Sequence, residues 1–267
     1  MGREARSRQQ FGLVRPDGRS AARVPRIALG YAYGTLHAPF VHSLFALMNS
    51  RHAEVIRQVI PQQGLYVGEN RNSIVQRFMT TDSEWLLQID TDIAFPPDLP
   101  EAMVALAGSE RKIVAASVPL GPPLPSCALN RNPNVPGEWK YVPEEEITEA
   151  GIECDVVATA VVLIHRKVFE AIADREGQCW FLQTGPGAVM PDVKDAASRA
   201  AWTGEGPMRD CKYLHIGEDV LFCMRAEDAG FRSYCAKVPG LRHYKVVPLT
   251  HDVISADESR TLEAAAP

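Results

Sequence analysis

One short run constrains this chain more than any other. Trp85-Leu86-Leu87-Gln88-Ile89 is followed at once by Asp90-Thr91-Asp92. The run is short, apolar and free of Gly and Pro, and it reads as a central strand. The two carboxylates then stand at that strand's carboxyl end, where open α/β sheets present their ligands. Pro96-Pro97 stops any further strand. A helix is expected from about Asp98, with Asp98 as N-cap and Glu101 in the capping-box position three residues on.

The rest of the chain alternates in the same way. Arg26 to Tyr31 reads as the first strand, GYAYGT as a turn, and Ala38 to Met48 as a helix. Leu65-Tyr66-Val67 is expected to be a short second strand, and Asn72 to Met79 a helix with Ile74, Val75 and Phe78 on one face. Further elements are a helix over Leu99 to Ala107 and a strand over Lys112 to Val118. Residues 119 to 143 are rich in Pro and Asn and are expected to be loop or short irregular strands. Asp155 to Ile164 is the most β-prone run, continued by a helix from His165 to Ile172. Gly217-Glu218-Asp219 opens a helix, Asp219 to Ala229, ended by Gly230, and Phe231 to Lys237 is strand-like. Strands alternating with helices predict a mostly parallel sheet in a doubly wound arrangement. With 267 residues, 46% hydrophobic, the chain can bury a proper core. The expected organisation is a flexible basic arm over 1–24, one domain over 25–250 and a tail over 251–267.

Charge and composition exclude several classes. A net charge of −5 gives no global basic field, so nucleic acid is not an expected partner. No apolar run approaches the length of a membrane span. The basic start, MGREARSRQQ, lacks the apolar segment of a signal peptide, and Arg6 stands where myristoylation after Gly2 wants Ser or Thr. A cytoplasmic location is therefore expected. The 6 cysteines contain no C-x-x-C pair and read as buried or half-buried free thiols. There is no Walker A pattern, and GYAYG is not the dinucleotide fingerprint.

Four groups of residues carry chemistry. Asp90 and Asp92 are hard oxygen donors spaced i, i+2, suited to Mg²⁺ or Mn²⁺ beside a diphosphate, where the ion would neutralise the leaving phosphates. Glu218 and Asp219 open a helix, a place where acids usually complement the dipole. The functional alternative makes Asp219 a general base for an acceptor hydroxyl. His243 in LRHYKV and His251 in LTHDV are each able to supply a third metal ligand. Arg71, near a helix start, either pairs with phosphate oxygens or makes a surface salt bridge. Residues 176 to 215 form a long stretch with few apolar repeats, and such loops are usually functional or mobile. An acceptor-side flap that orders on donor binding is expected there. Within it, Trp180 and Trp202 are either platforms for sugar rings or core anchors.

Taken in order, these segments resemble a glycosyltransferase with the GT-A fold, of the family-2-like kind found in bacteria and phages. The resemblance runs through RIALGYAYGT, ENRNSIVQRF, EWLLQIDTDIAFPPDL, DVVATAVVLIHRKVF, GEDVLFCMRAEDAGF and LRHYKV, most of residues 26 to 247. It implies an α/β, Rossmann-like GT-A nucleotide-diphospho-sugar transferase fold, with a mostly parallel central sheet flanked by helices. It also implies hexosyl transfer from a UDP- or GDP-sugar to a protein, glycan or lipid hydroxyl, with Mn²⁺ or Mg²⁺. Carried over by position, Tyr31 and Gly34 would border the nucleotide base and Arg71 would face the diphosphate. Asp92 would ligate the metal, Asp90 would contact the ribose or a metal-bound water, and His243 (or His251) would complete the metal site. Glu218 and Asp219 match the acidic pair facing the acceptor, with Asp219 in the place of the catalytic base of inverting members. Relatives often carry Gly where Ala158, Thr159 and Ala160 stand here, which leaves donor-sugar preference open. Val220 after Asp219, where a third acid would stand, leaves the stereochemistry open as well.

Two other readings fit the residues less well. A haloacid-dehalogenase-type phosphatase wants Thr or Val where Ala94 stands and places its strand-D-x-D near the N-terminus. A catalytically degenerate GT-A-fold protein that binds carbohydrate or nucleotide, or serves as a virion accessory, would be marked by loss of an acid or the His. All of them are present.

Overall fold

A strand as apolar as Trp85 to Ile89, in which Gln88 is the one polar residue, needs cover on both faces. The structure, a computed structural model, describes residues 24–64, 66–118, 127–134, 139–181 and 217–244. In it, all of β3 (Trp85–Ile89) is buried. This strand sits in a seven-stranded sheet ordered β2-β1-β3-β10-β5-β11-β8. The other strands are β1 (Ile27–Tyr33), β2 (Ile56–Gln63), β5 (Ile113–Ala116), β8 (Ile152–Cys154), β10 (Val161–His165) and β11 (Ser233–Ala236). β1 pairs in parallel with β2 and β3, and β11 with β5, while β10 and β8 run antiparallel to their neighbours. The sheet is thus mostly parallel, with two reversed strands. Two small ladders flank it: β4 (Ile93–Ala94) with β12 (Arg242–His243), and β6 (Ala128–Arg131) between β7 (Trp139–Tyr141) and β9 (Val156–Val157).

Side chains alternate between the faces as the pleat requires. Ala28, Leu86, Ile113 and Ile164 point into one core with α2 (Val67–Met79), α4 (Arg166–Glu176) and α5 (Glu218–Asp228). Ile27, Leu87, Val114 and Leu163 point into the other with α1 (Ala38–Met48) and α3 (Leu99–Ala107). The result is a mixed α/β fold with helices on both faces. Gly30 lets α2 lie close against the sheet, since a Cβ there would fall 2.5 Å from Ile74 Cγ2.

The second strand is not Leu65 to Val67 but Ile56–Gln63, and Val67 already belongs to α2. Pro61 lies inside this strand and disguises it in the sequence. It is tolerated because β2 is an edge strand, bonded only to β1. The run Asp155 to Ile164 is not one strand. Val156 and Val157 join the small ladder, and Val161 to His165 enter the main sheet. The capping box at Asp98 does not form either: Asp98 makes no side-chain cap, and the Glu101 carboxylate lies 2.6 Å from His52 Nδ1 instead. Among the described cysteines, Cys127, Cys154, Cys223 and Cys235 are buried free thiols and Cys179 is half-buried.

His165 ends β10 and caps α4, its Nδ1 accepting the Lys167 backbone N–H at 3.1 Å. Its ring meets Trp85 edge-on at 4.7 Å. Burial holds its pKa down at about 4; Lys112, Lys167 and Arg166 add to this and Glu84 opposes it. Because the folded value lies below the unfolded 6.5, the native state binds fewer protons between the two. Stability is then complete above the unfolded value and is lost as pH falls towards the folded one. We expect urea unfolding at pH 4.5 to show about 1–2 kcal/mol less stability than at pH 7 from this group, half-screened by solvent as it is. His165→Asn, which keeps a capping acceptor, should flatten that part of the profile. An unchanged pH slope in this variant would remove His165 as its source.

Candidate functional site

The site follows from the strand order. After β1 the chain runs outward to β2, and after β3 it runs the opposite way towards β5, so a crevice opens between the two carboxyl ends. An open cleft of roughly 330 Å³ lies there. Its walls are Tyr33, Gly34, Thr35 and His37 after β1, Gly64 after β2, Val67 and Asn70 from α2, and Asp90-Thr91-Asp92 after β3. Thr91 Oγ1 donates to the Thr35 carbonyl at 3.1 Å and ties the two loops together. The Asp90 N–H donates to the Ala160 carbonyl at 2.7 Å, which fixes where β3 ends.

His243 reaches this cleft by a short ladder. β12 pairs with β4 so that His243 stands opposite Ile93, the residue after Asp92. The Tyr244 N–H donates to the Asp92 carbonyl at 2.8 Å, and His243 Nε2 lies 2.9 Å from Asp92 Oδ2. Among the described residues, no three Asp, Glu, His or Cys side chains form a group able to hold a metal ion by themselves. An ion shared with a diphosphate asks for less, because substrate phosphates and water fill most of its shell. Asp92 with His243 is a donor set of that size, one carboxylate and one imidazole, that could hold a divalent cation.

Asp90 faces the other way. Its Oδ1 accepts from Arg71 Nη2 at 2.9 Å, and Arg71 Nη1 donates to Glu218 Oε1 at 2.7 Å. Arg71 is only 4% exposed, with Thr159 Oγ1 hydrogen-bonded to its Nη1. The guanidinium expected to face the diphosphate is thus buried and engaged by two carboxylates. Burial works against its charge, yet Asp90 and Glu218 raise its pKa above the usual value. Burial also raises the Asp90 carboxyl and outweighs the opposite pull of Arg71. Glu218 and Asp219 form the first turn of α5, behind the N-cap Gly217. Asp219 Oδ1 accepts the Val220 N–H at 2.8 Å, and burial, followed by the nearby Glu218 charge, raises its pKa.

The structure therefore brings Gly34, Asp90 and Asp92 to one cleft with His243 beside them, and links Glu218 to them through Arg71. Tyr31 is corrected in position. β1 runs two residues further than the sequence suggested, so Tyr33 lines the cleft and Tyr31 packs behind it, 5.9 Å from Tyr33 and 5.0 Å from Phe40. Trp180 is corrected as an acceptor-side platform: it is 1% exposed and donates Nε1–H to the Phe169 carbonyl at 2.8 Å. Trp202, His251, the arm, the tail and residues 182–216 of the expected flap lie outside the described residues. Sequence reasoning missed Thr35, His37, Asn70 and Thr159. Asn70 stood next to Arg71 in the quoted ENRN, and Thr35 and His37 follow the first strand directly, the one signal available.

No family model and no curated protein matches the sequence. Solved structures are similar in outline. A197 from STIV is 15% identical with a TM-score of 0.47, over 83% of this chain and 86% of that one. A glycosyltransferase involved in the glycosylation of the major capsid of PBCV-1 is 10% identical with a TM-score of 0.34, over 90% and 100% of the two chains. No helix among the described residues is long and apolar enough to cross a membrane.

Proposed function

We propose that this chain is a metal-dependent glycosyltransferase of the GT-A kind, moving a hexosyl group from a UDP- or GDP-sugar to an acceptor hydroxyl of a protein, glycan or lipid. The observation that carries the reading is the Asp92–His243 pair at the edge of the cleft formed by the carboxyl ends of β1, β2 and β3. The nucleotide would lie along Tyr33 and Gly34, with its diphosphate towards Asp92. An ion held by Asp92 and His243 would supply charge neutralisation to that diphosphate. Asp219 is the base. Its Oδ1 accepts the Val220 N–H, and the carboxylate would take the acceptor's proton. The acceptor oxygen bonds to the anomeric carbon, the carbon–oxygen bond to phosphate breaks, and the electron pair leaves on the diphosphate.

A second reading is a catalytically degenerate relative that binds carbohydrate or nucleotide, or serves as a virion accessory. It is favoured by one observation, that Asp90 and Glu218 are both spent on Arg71. Calorimetric titration with UDP-, GDP- and CDP-sugars, with and without Mn²⁺, separates the two. The transferase reading expects Mn²⁺-dependent binding of one nucleotide-sugar, at least tenfold weaker in Asp92→Ala. Metal-independent binding, unchanged in that variant, would support the degenerate reading, and no binding by a folded sample would count against a nucleotide site of either kind.

A further inference from the structure

Arg71 joins two carboxylates that belong to different halves of the site. Asp90 ends β3, 19 positions along the chain, and Glu218 opens α5, 147 positions along. Each takes a different arm of one guanidinium, Asp90 on Nη2 and Glu218 on Nη1. A planar fork with donors fixed in two directions suits such a bridge, and the single ammonium of Lys does not. The fork is held from beneath by Thr159 Oγ1, and the Phe181 ring stands 5.9 Å from its central carbon. Asn72, the next residue of α2, secures that ring: its Oδ1 accepts the Trp180 and Phe181 N–H groups at 2.9 and 2.8 Å, and its Nδ2 donates to the Phe181 carbonyl at 2.8 Å. To reach a phosphate in the cleft, Arg71 would have to leave both carboxylates unpaired in a part-buried place, which is strongly unfavourable.

We propose that Arg71 is a positioning residue, a buried bridge that sets the placement of the acceptor-side turn Glu218-Asp219 relative to the donor-side turn Asp90-Thr91-Asp92, and that it does not bind the diphosphate. The catalytic consequence rests on the transferase reading; the bridge itself does not, and the tests are chosen to keep the two apart. The first test needs no activity. Urea unfolding of Asp90→Asn, Glu218→Gln and the double variant forms a cycle. Either single substitution leaves Arg71 one bridging carboxylate, whereas the double leaves a buried cation with neither, beside only neutral acceptors such as Thr159 Oγ1. The unfolding constant of the double variant should therefore rise at least tenfold beyond the product of the single effects. Agreement with that product within twofold would overturn the bridge.

The second test uses Arg71→Lys, which keeps the charge, beside Arg71→Met. UDP and GDP are titrated calorimetrically in Mn²⁺, and turnover is read as nucleoside diphosphate released from the nucleotide-sugar. A positioning residue predicts that Arg71→Lys keeps nucleotide affinity within threefold while turnover falls at least 100-fold. A tenfold or greater loss of UDP or GDP affinity, at an unchanged unfolding midpoint, would make Arg71 a phosphate ligand and overturn the proposal. If the wild type binds neither nucleotide, the transferase reading fails and the unfolding cycle still decides the bridge.

Discussion

If the proposed transfer with Asp219 as base holds, Asp219→Asn is expected to lower turnover by about 10²–10⁴-fold, the range for removal of a general base, and to leave nucleotide affinity within a few-fold. It does so without destabilising the protein. The wild-type carboxyl has its pKa raised by burial and by Glu218, so the native state binds more protons than the unfolded chain just above the ordinary carboxylate range. Stability from this group then falls as pH rises through that window, and at neutral pH its full burial penalty is present. An amide of the same shape carries no such penalty, so the unfolding midpoint of Asp219→Asn at pH 7 should equal or exceed that of wild type. The rate profile carries the same sign: turnover should fall on the acid side, with its midpoint above the ordinary range for a carboxylate. Kinetics and unfolding on one preparation check both parts. A variant with full turnover would exclude Asp219 as the base and favour retaining chemistry, in which it has no such duty.

The parts of the fold that were legible are those with a local pattern. β3 is buried along its whole length because it is covered on both faces, and its bounds coincide with Trp85 to Ile89 as read. α1 and α3 coincide as well. β2 was missed because an edge strand makes weak demands on its residues. Five of its eight are Arg, Gln or Pro, and it needs hydrogen bonds on one side only. The site shows the same division. Asp90 and Asp92 were visible because a strand end can be read from its strand, whereas the burial of Arg71 was not, because it depends on acids 19 and 147 positions away. No periodicity reports a contact of that span. His243 stood out only as one of two candidate third ligands, and its place beside Asp92 was not legible, since a two-residue ladder leaves no signature in sequence.

Trp180→Ala should destabilise the protein by about 3–5 kcal/mol, a large part of a typical domain's stability. The side chain is 1% exposed and stands edge-on to Phe169 at 6.2 Å. Two effects add. Removing the indole opens a cavity between α4 and α5, and the Phe169 carbonyl loses the N–H that donates to it at 2.8 Å. Trp180→Phe separates them, since it keeps most of the packing and loses the hydrogen bond, and about 1–2 kcal/mol is expected. A ring that served as an acceptor platform would behave in the opposite way, because its truncation would weaken acceptor use and leave the unfolding midpoint in place. Its neighbours decide between the two. The Trp180 N–H is held by Asn72, and Arg225 donates to the Trp180 carbonyl at 3.2 Å, so the backbone is anchored from α2 and α5 while the ring packs on Phe169 of α4. Truncation should therefore also loosen Phe181, and with it the wall against which Arg71 rests. An Asp90–Arg71–Glu218 bridge weakened in Trp180→Ala would appear as reduced non-additivity in the unfolding cycle repeated on that background.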